Sequence, residues 1–452
     1  MTAPAPEQLD ERTLADRRRA ATKVIAASFI GTAIEWYDFF LFGTMTAIAL
    51  APLFFPNSDP VASTLAGFLS FAAAFVARPI GAVVFGHYGD KLGRKGALIV
   101  TVILMGAAST LIGVLPTYET AGILAPILLT VLRFLQGIAT GGEWGGATLM
   151  AMEYVEPRRK PLMAALVQLG SPVGTLLSTC AVAWVTGFSG ENFLTWGWRL
   201  PFLFSIVLIA VAVWIRVGVE ETPEFEETKQ AEGTAKLPIW ELLTTAGGRT
   251  LVGIAAYLVG NAGFFLFTTF MISYVTRVLG LPAPVILGAM TIGAVAQMVF
   301  TLIAGWVANR IGPFLTAVIG YAWFALIVFP VFWLVDTKDP ALITVAMILV
   351  MGPGAISYAV IGSVLDRIFP TRLKYTGLAI SGNVSALIAG FMPALATVVL
   401  TASGNLSWGP ALLALAISLI SLVGTLLAWR IVRRDEQRAA ALAPAAEPAA
   451  AR

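Results

Sequence analysis

Apolar residues occupy this chain in long blocks separated by short polar breaks. Twelve blocks approach or exceed the roughly 20 residues that a helix needs to cross a bilayer. They fall near 24–50, 61–85, 97–115, 122–150, 162–186, 198–218, 250–276, 284–308, 314–335, 341–364, 375–401 and 407–430. The pattern predicts an all-α membrane protein of twelve transmembrane helices. One polar break is long, the segment 219–249.

Composition agrees. Of the 452 residues, 58% are hydrophobic and 12% charged, about half the charge of a soluble chain. Gly (43) and Pro (25) are frequent, as in membrane helices, where Gly permits close approach. The net charge of +3 matters less than its placement. With the N-terminus inside, cytoplasmic segments hold 24 of the 29 Lys and Arg. Arg199, Arg277 and Lys338 lie on the other side, and Arg78 and Arg133 lie within membrane blocks. This asymmetry places both termini in the cytoplasm and gives a nucleic-acid partner no support. The single Cys180 excludes a disulfide within the chain. The first 23 residues lack the apolar core of a cleavable signal. With no phosphate loop, nucleophile–base pair or metal cluster in the sequence, no enzyme and no cofactor is expected.

The chain repeats itself. "GHYGDKLGRK" (86–95) and "GWVANRIGPF" (305–314) share Gly, a polar residue four on, a base and a second Gly. "EYVEPRR" (153–159) and "DRIFPTR" (366–372) repeat at a similar offset. The expected organisation is a tail at 1–23, a six-helix half at 24–218, a cytoplasmic linker at 219–249, a second six-helix half at 250–430 and a tail at 431–452. Parallel repeats with a substrate path between them are a recurring transporter design.

"GHYGDKLGRK" resembles the loop motif of the major facilitator superfamily, and "RFLQGIATGGEWGGA" (133–147) its helix-4 motif. Together with "IEWYDFFLFG" (34–43) and "FPTRLKYTG" (369–377), they make the chain similar to the metabolite:proton symporter family. That family includes carriers of shikimate, 2-oxoglutarate, citrate, and proline or betaine. The resemblance implies a multi-pass protein of a bacterial-type plasma membrane. It would import a small polar metabolite, an organic acid first, by alternating access driven by a proton gradient. It implies no obligatory protein partner beyond lipid, substrate and protons. The alternatives are a proline/betaine-type zwitterion symporter, a drug/proton antiporter to which "LGSPVG" (169–174) is loosely similar, and a membrane sensor on the same fold. The resemblance also makes Gly86, Asp90 and Arg94 a gating loop, with Asp90 in a charge latch. Asn309 and Pro313 depart from the motif in the second copy, which weakens that loop as a gate. The Ala/Pro-rich tail lacks the heptads of an osmosensing coiled coil.

Five charged residues lie deep in membrane blocks: Glu35, Asp38, Arg78, Arg133 and Glu143. Left unpaired they would cost on the order of 12–17 kcal/mol, so they pair or face water. Three acids against two arginines leave one negative charge for a proton or a cationic group. Glu35 and Asp38, three residues apart, project from nearby positions on one helix, and Arg78 is placed to answer one of them. Arg133, Gln136 and Glu143 form a polar stripe on helix 4, whose arginine the resemblance links to proton handling. The four-residue spacing of Gly137, Gly141 and Gly145 reads as close helix packing. In the second half the repeat sets amides, Asn261 and Gln297, where the first has Glu35 and Arg78. Asn383 and Gln168 are further substrate-lining candidates, as are the aromatics Trp36, Tyr37, Phe264, Phe265 and Tyr358.

Overall fold

A computed structural model describes residues 11–56, 59–92, 94–141, 160–217, 239–370 and 373–442. Helix α1 (Glu11–Met45) continues through a π-helical turn at Thr46–Leu50 to Phe54. Then come α2 (Pro60–Leu92), α3 (Arg94–Val114) and α4 (Leu124–Gly141). Helix α5 has two pieces, Lys160–Gln168 and Gly170–Ser189, and α6 is Leu200–Val217. Helix α7 (Ile239–Phe265) runs on through π-helical turns at Leu266–Phe270 and Tyr274–Val278. It is followed by α8 (Ala283–Ile311) and α9 (Pro313–Asp336). Helix α10 is split into Pro340–Met351 and Ala355–Ile368, α11 into Lys374–Gly390 and Met392–Ala402, and α12 is Trp408–Leu442.

Eleven spans among the described residues are long and apolar enough to cross a bilayer. The block expected at 97–115 falls on α3, whose apolar stretch Ile99–Val114 is shorter. Helices also reach into segments expected to be tails or linker. Helix α1 starts at Glu11, α12 runs to Leu442, and α7 starts at Ile239 with a kink at Ala246 (φ −129°, ψ 19°). The terminal stretches are rich in Ala, Arg, Glu and Gln, which favour helix in water as well as in lipid. Arg249 fastens one such extension. Its guanidinium reaches Asp435 at 2.8 Å and donates to the Ile368 carbonyl at 2.7 Å.

The packing repeats with the sequence. Helices α1 and α5, α2 and α4, and α3 and α6 pair; so do α7 and α11, α8 and α10, and α9 and α12. Across the two sets, α2 meets α11, α5 meets α8, and the π-helical turn of α7 meets α1. Glycines set the closest of these distances. A Cβ on Gly137 would stand 1.9 Å from the Ala74 carbonyl oxygen, and one on Gly141 the same distance from that of Arg78. The packing reading of these two glycines therefore holds, while Gly145 lies outside the described residues. "LGSPVG" has a similar use, since Gly170 and Gly174 press against the backbone of α1 near Ala33 and Tyr37.

The outer surface is greasy. Trp214 is 78% exposed and Leu326 72%, along with many other large apolar side chains. In water such a surface would aggregate; in a bilayer it is solvated by lipid. Helix breaks fall inside. Pro172 cannot donate to the Gln168 carbonyl, which splits α5 beside Gln168, and Gly352, Pro353 and Gly354 split α10.

Candidate functional site

Both membrane carboxylates of α1 are buried, Glu35 at 4% exposure and Asp38 at 3%. They look in different directions. Glu35 turns to α2, where Arg78 Nη2 donates to its Oε1 at 3.0 Å. The Arg78 guanidinium also lies over Phe39 and Phe75, 5.4 and 5.8 Å from the ring centres. Asp38 turns to α4 and α3. Gln136 Nε2 donates to its Oδ2 at 2.7 Å and lies 2.6 Å from Ser109 Oγ. Gln136 in turn accepts from Arg133 Nη1 at 2.8 Å, so it stands between Arg133 and Asp38.

Arg133 is fully buried and boxed by Phe39, Phe42 and Phe71, with Phe42 at 4.1 Å from its guanidinium carbon. Aromatic faces partly replace the water that the cation gave up. The second Asp38 oxygen, Oδ1, has no hydrogen-bond partner. A buried carboxylate that meets a neutral amide instead of a guanidinium can take up or give up a proton without breaking an ion pair.

Residues of α5, α7 and α10 close around Glu35 and Arg78. Trp36 stacks on Phe40 at 5.3 Å and meets Phe264 and Tyr358 at 6.0 and 6.3 Å. Phe265 packs on Phe71 and Phe75 at 5.2 Å each. Tyr358 lies beside Tyr257, their rings 6.1 Å apart, and Gln168 approaches both hydroxyls. Even so, Trp36 Nε1, Gln168 Oε1 and Tyr358 Oη have no hydrogen-bond partner of good geometry. Gln297 Oε1 is a fourth such atom. It shares with Tyr358, Phe264, Thr268 and Gly263 the wall of a cavity of about 30 Å³, room for a water or two. Buried polar atoms without partners are uncommon, and four of them fall around this centre.

The other expected residues fall elsewhere. Asn261 donates to Ser385 Oγ at 3.3 Å, tying α7 to α11. Asn383 is half-buried, seven residues before Gly390 and so on the same face of α11, the face that meets Phe75 of α2. Tyr37 points away from the centre and donates to the Pro201 carbonyl at 2.9 Å. Glu143 lies outside the described residues. Gly86, Asp90 and Arg94 are described only as helical backbone, with Gly86 and Asp90 at the end of α2 and Arg94 at the start of α3. The latch contact of Asp90 is therefore outside what the structure describes. Two contributors carry no charge and were not singled out by sequence: Ser109, on the polar face of α3, and Tyr257, which sits four residues before Asn261 on the inner face of α7.

An apolar bundle with a buried, charged and partly unsatisfied centre between two similarly paired sets of helices defines a multi-pass membrane transporter. The sequence profile of the Major Facilitator Superfamily matches residues 29–390, and the chain belongs to that superfamily. It is 37% identical over 376 residues to the inner membrane metabolite transport protein YhjE of Escherichia coli K12, covering 81% of this chain and 84% of that one. It is 36% identical over 439 residues to the shikimate transporter of the same strain (95% and 98%), and 32% identical over 415 residues to its proline/betaine transporter (89% and 82%). These relatives are transporters, not enzymes. In fold, the crystal structure of a D-xylose–proton symporter superposes with a TM-score of 0.70 at 17% identity, over 91% of this chain and 97% of that one.

Proposed function

We propose that this transporter is a proton-coupled symporter that imports a small carboxylate-bearing metabolite by alternating access. In this reading twelve helices span the membrane, α3 included. Both termini are cytoplasmic, and 24–218 and 250–430 form the two halves. The observation that carries the coupling is Asp38: buried, bonded by Gln136, with Arg133 one residue further and Oδ1 unpartnered. Asp38 takes the proton. The Glu35–Arg78 pair sits beside the unpartnered polar atoms of the inter-half centre, and Arg78 can exchange Glu35 for a substrate carboxylate, an anion that a guanidinium holds well. The 36% identity to a shikimate transporter supports an organic acid.

Transport by purified protein in liposomes tests this. Asp38→Asn is expected to lose accumulation driven by a pH gradient while keeping exchange of labelled for unlabelled substrate, which needs no net proton movement. Accumulation like that of the unaltered protein would overturn the assignment.

A zwitterionic substrate is the second reading. The rings of Trp36, Phe40, Phe264 and Tyr358 beside Glu35 would suit a quaternary ammonium head, with Arg78 on its carboxylate. A thermal-shift screen separates the two, because a ligand at 100 times its dissociation constant adds about 2.7 kcal/mol. Stabilisation by betaines and not by organic acids would favour the zwitterion.

A further inference from the structure

Two helices of the second half carry the same short pattern near one face of the bundle. Helix α8 closes with Trp306 and Arg310, and α12 carries Trp429 and Arg433, each pair four residues apart. In both pairs the guanidinium lies over the indole, 3.8 Å from the ring centre on α8 and 4.4 Å on α12. Side chains lean toward the N-terminus of their helix, and in the proposed topology α8 and α12 both run toward the cytoplasm. Their arginines therefore lean back toward the lipid instead of out into water. Stacking uses the flat face of a guanidinium and leaves the N–H groups around its edge free to donate.

Phe314 of α9 joins the two pairs. Its ring stacks on Trp429 at 6.1 Å with the planes 4° apart. Gly312, at φ 86°, turns the chain from Arg310 to Phe314 within four residues. Arg433 thus lies one indole away from the turn that bears Arg310. The charge there is uncompensated. Among the described residues Arg310, Arg430, Arg433 and Arg434 form no ion pair, and Asp435 is taken by Arg249. Where the first loop copy has Asp90, this one has the neutral Asn309. Beside the cations the surface is apolar: Trp306, Ile311, Leu315 and Leu426 are all exposed.

We propose that the α8–α9 turn and α12 form a binding site for one anionic phospholipid, with its phosphate held by Arg310 and Arg433 and its acyl chains on Ile311, Leu315 and Leu426. A soluble phosphate would use the arginines and leave the apolar flank bare; a lipid uses both. Basic pockets between membrane helices on the cytoplasmic side suit such headgroups. The site shares no residue with Glu35, Asp38 or Arg78, so it stands or falls separately from proton coupling.

Native mass spectrometry of the full chain, released from neutral detergent micelles, counts bound lipids and tests this. Phosphatidylglycerol is expected to bind one molecule more tightly than phosphatidylcholine does. Arg310→Gln or Arg433→Gln alone is expected to weaken that first step about fivefold, and the two together about 30-fold. Trp429→Leu keeps both charges and is expected to weaken it about two- to fivefold through loss of the stacking. Arg434→Gln with Arg438→Gln removes the same charge where no ring contact exists, and is expected to leave binding unchanged. The single variants carry the test should the Arg310, Arg433 double variant fail to fold. Equal losses in the two double variants would show diffuse attraction to a basic surface and overturn the site. Displacement of phosphatidylglycerol by glycerol 3-phosphate at equal concentration would make the ligand a soluble phosphate and overturn the lipid.

Discussion

Replacing Arg78 by Met keeps most of the side-chain volume and removes the charge. Glu35 is then left among Trp36, Phe39 and Tyr358 without its cation. Breaking a buried pair from one side costs about 3–5 kcal/mol, whereas replacing both partners with neutral groups of similar size is often neutral. The stacking of Arg78 on Phe39 and Phe75 adds roughly 0.5–2 kcal/mol to the single variant's loss. Unfolding entropy of about 2.1 cal/mol/K per residue, over 452 residues, converts about 1 kcal/mol into about 1 °C. Arg78→Met is thus expected to lower the melting temperature in detergent by at least about 3 °C, since segments that stay helical reduce the entropy and enlarge the shift. Adding Glu35→Gln is expected to restore most of the loss, though not transport. The assay is thermal unfolding followed by intrinsic tryptophan fluorescence. If the double variant melts no higher than Arg78→Met, the two side chains are not energetically coupled and the argument from the buried pair fails.

Gly141→Ala is expected to destabilise by about 1–3 kcal/mol or more, because its Cβ would meet the Arg78 carbonyl oxygen at 1.9 Å; Gly96→Ala, with open space around it, is the control expected to melt unchanged or slightly higher. Gln297→Leu is expected to raise KM with little change in kcat, as loss of uniform binding does; an unchanged KM would remove Gln297 from the substrate contacts.

The helices, the pairing of Arg78 with one of the two α1 acids and the shared face of Arg133 and Gln136 were legible because charge in an apolar run and spacing on one helix are properties of the string. The separation of Glu35 from Asp38 was not. Three residues rotate a side chain by about 60° on a helix, a small angle on an isolated cylinder. Helix α1 is wedged between α5, α2 and α6, and that angle is enough to send the two acids to different neighbours. Tyr257 and Ser109 were invisible for another reason. A hydroxyl in an apolar block is ordinary in membrane helices, where it commonly bonds its own preceding turn, as Thr46 Oγ1 does with the Phe42 carbonyl at 2.7 Å. Only tertiary placement separates a serine satisfied that way from one whose bond is left for something else. Asn261 shows the converse: the repeat put it opposite Glu35, and α11 supplied Ser385 to absorb it.

The π-helical turn Leu266–Phe270 of α7 follows its counterpart Thr46–Leu50 of α1 by 220 residues, nearly the spacing of the sequence repeat; that turn of α7 meets α1, and Arg277 Nε, from the next π-helical turn, donates to the Ala47 carbonyl at 3.1 Å. Such a turn closes i→i+5 instead of i→i+4 hydrogen bonds and so holds one residue more than an α-helical turn. Each extra residue rotates the side chains beyond it by about 100° around its helix, so α1 and α7 reset the faces they present at matching points of the two packed sets.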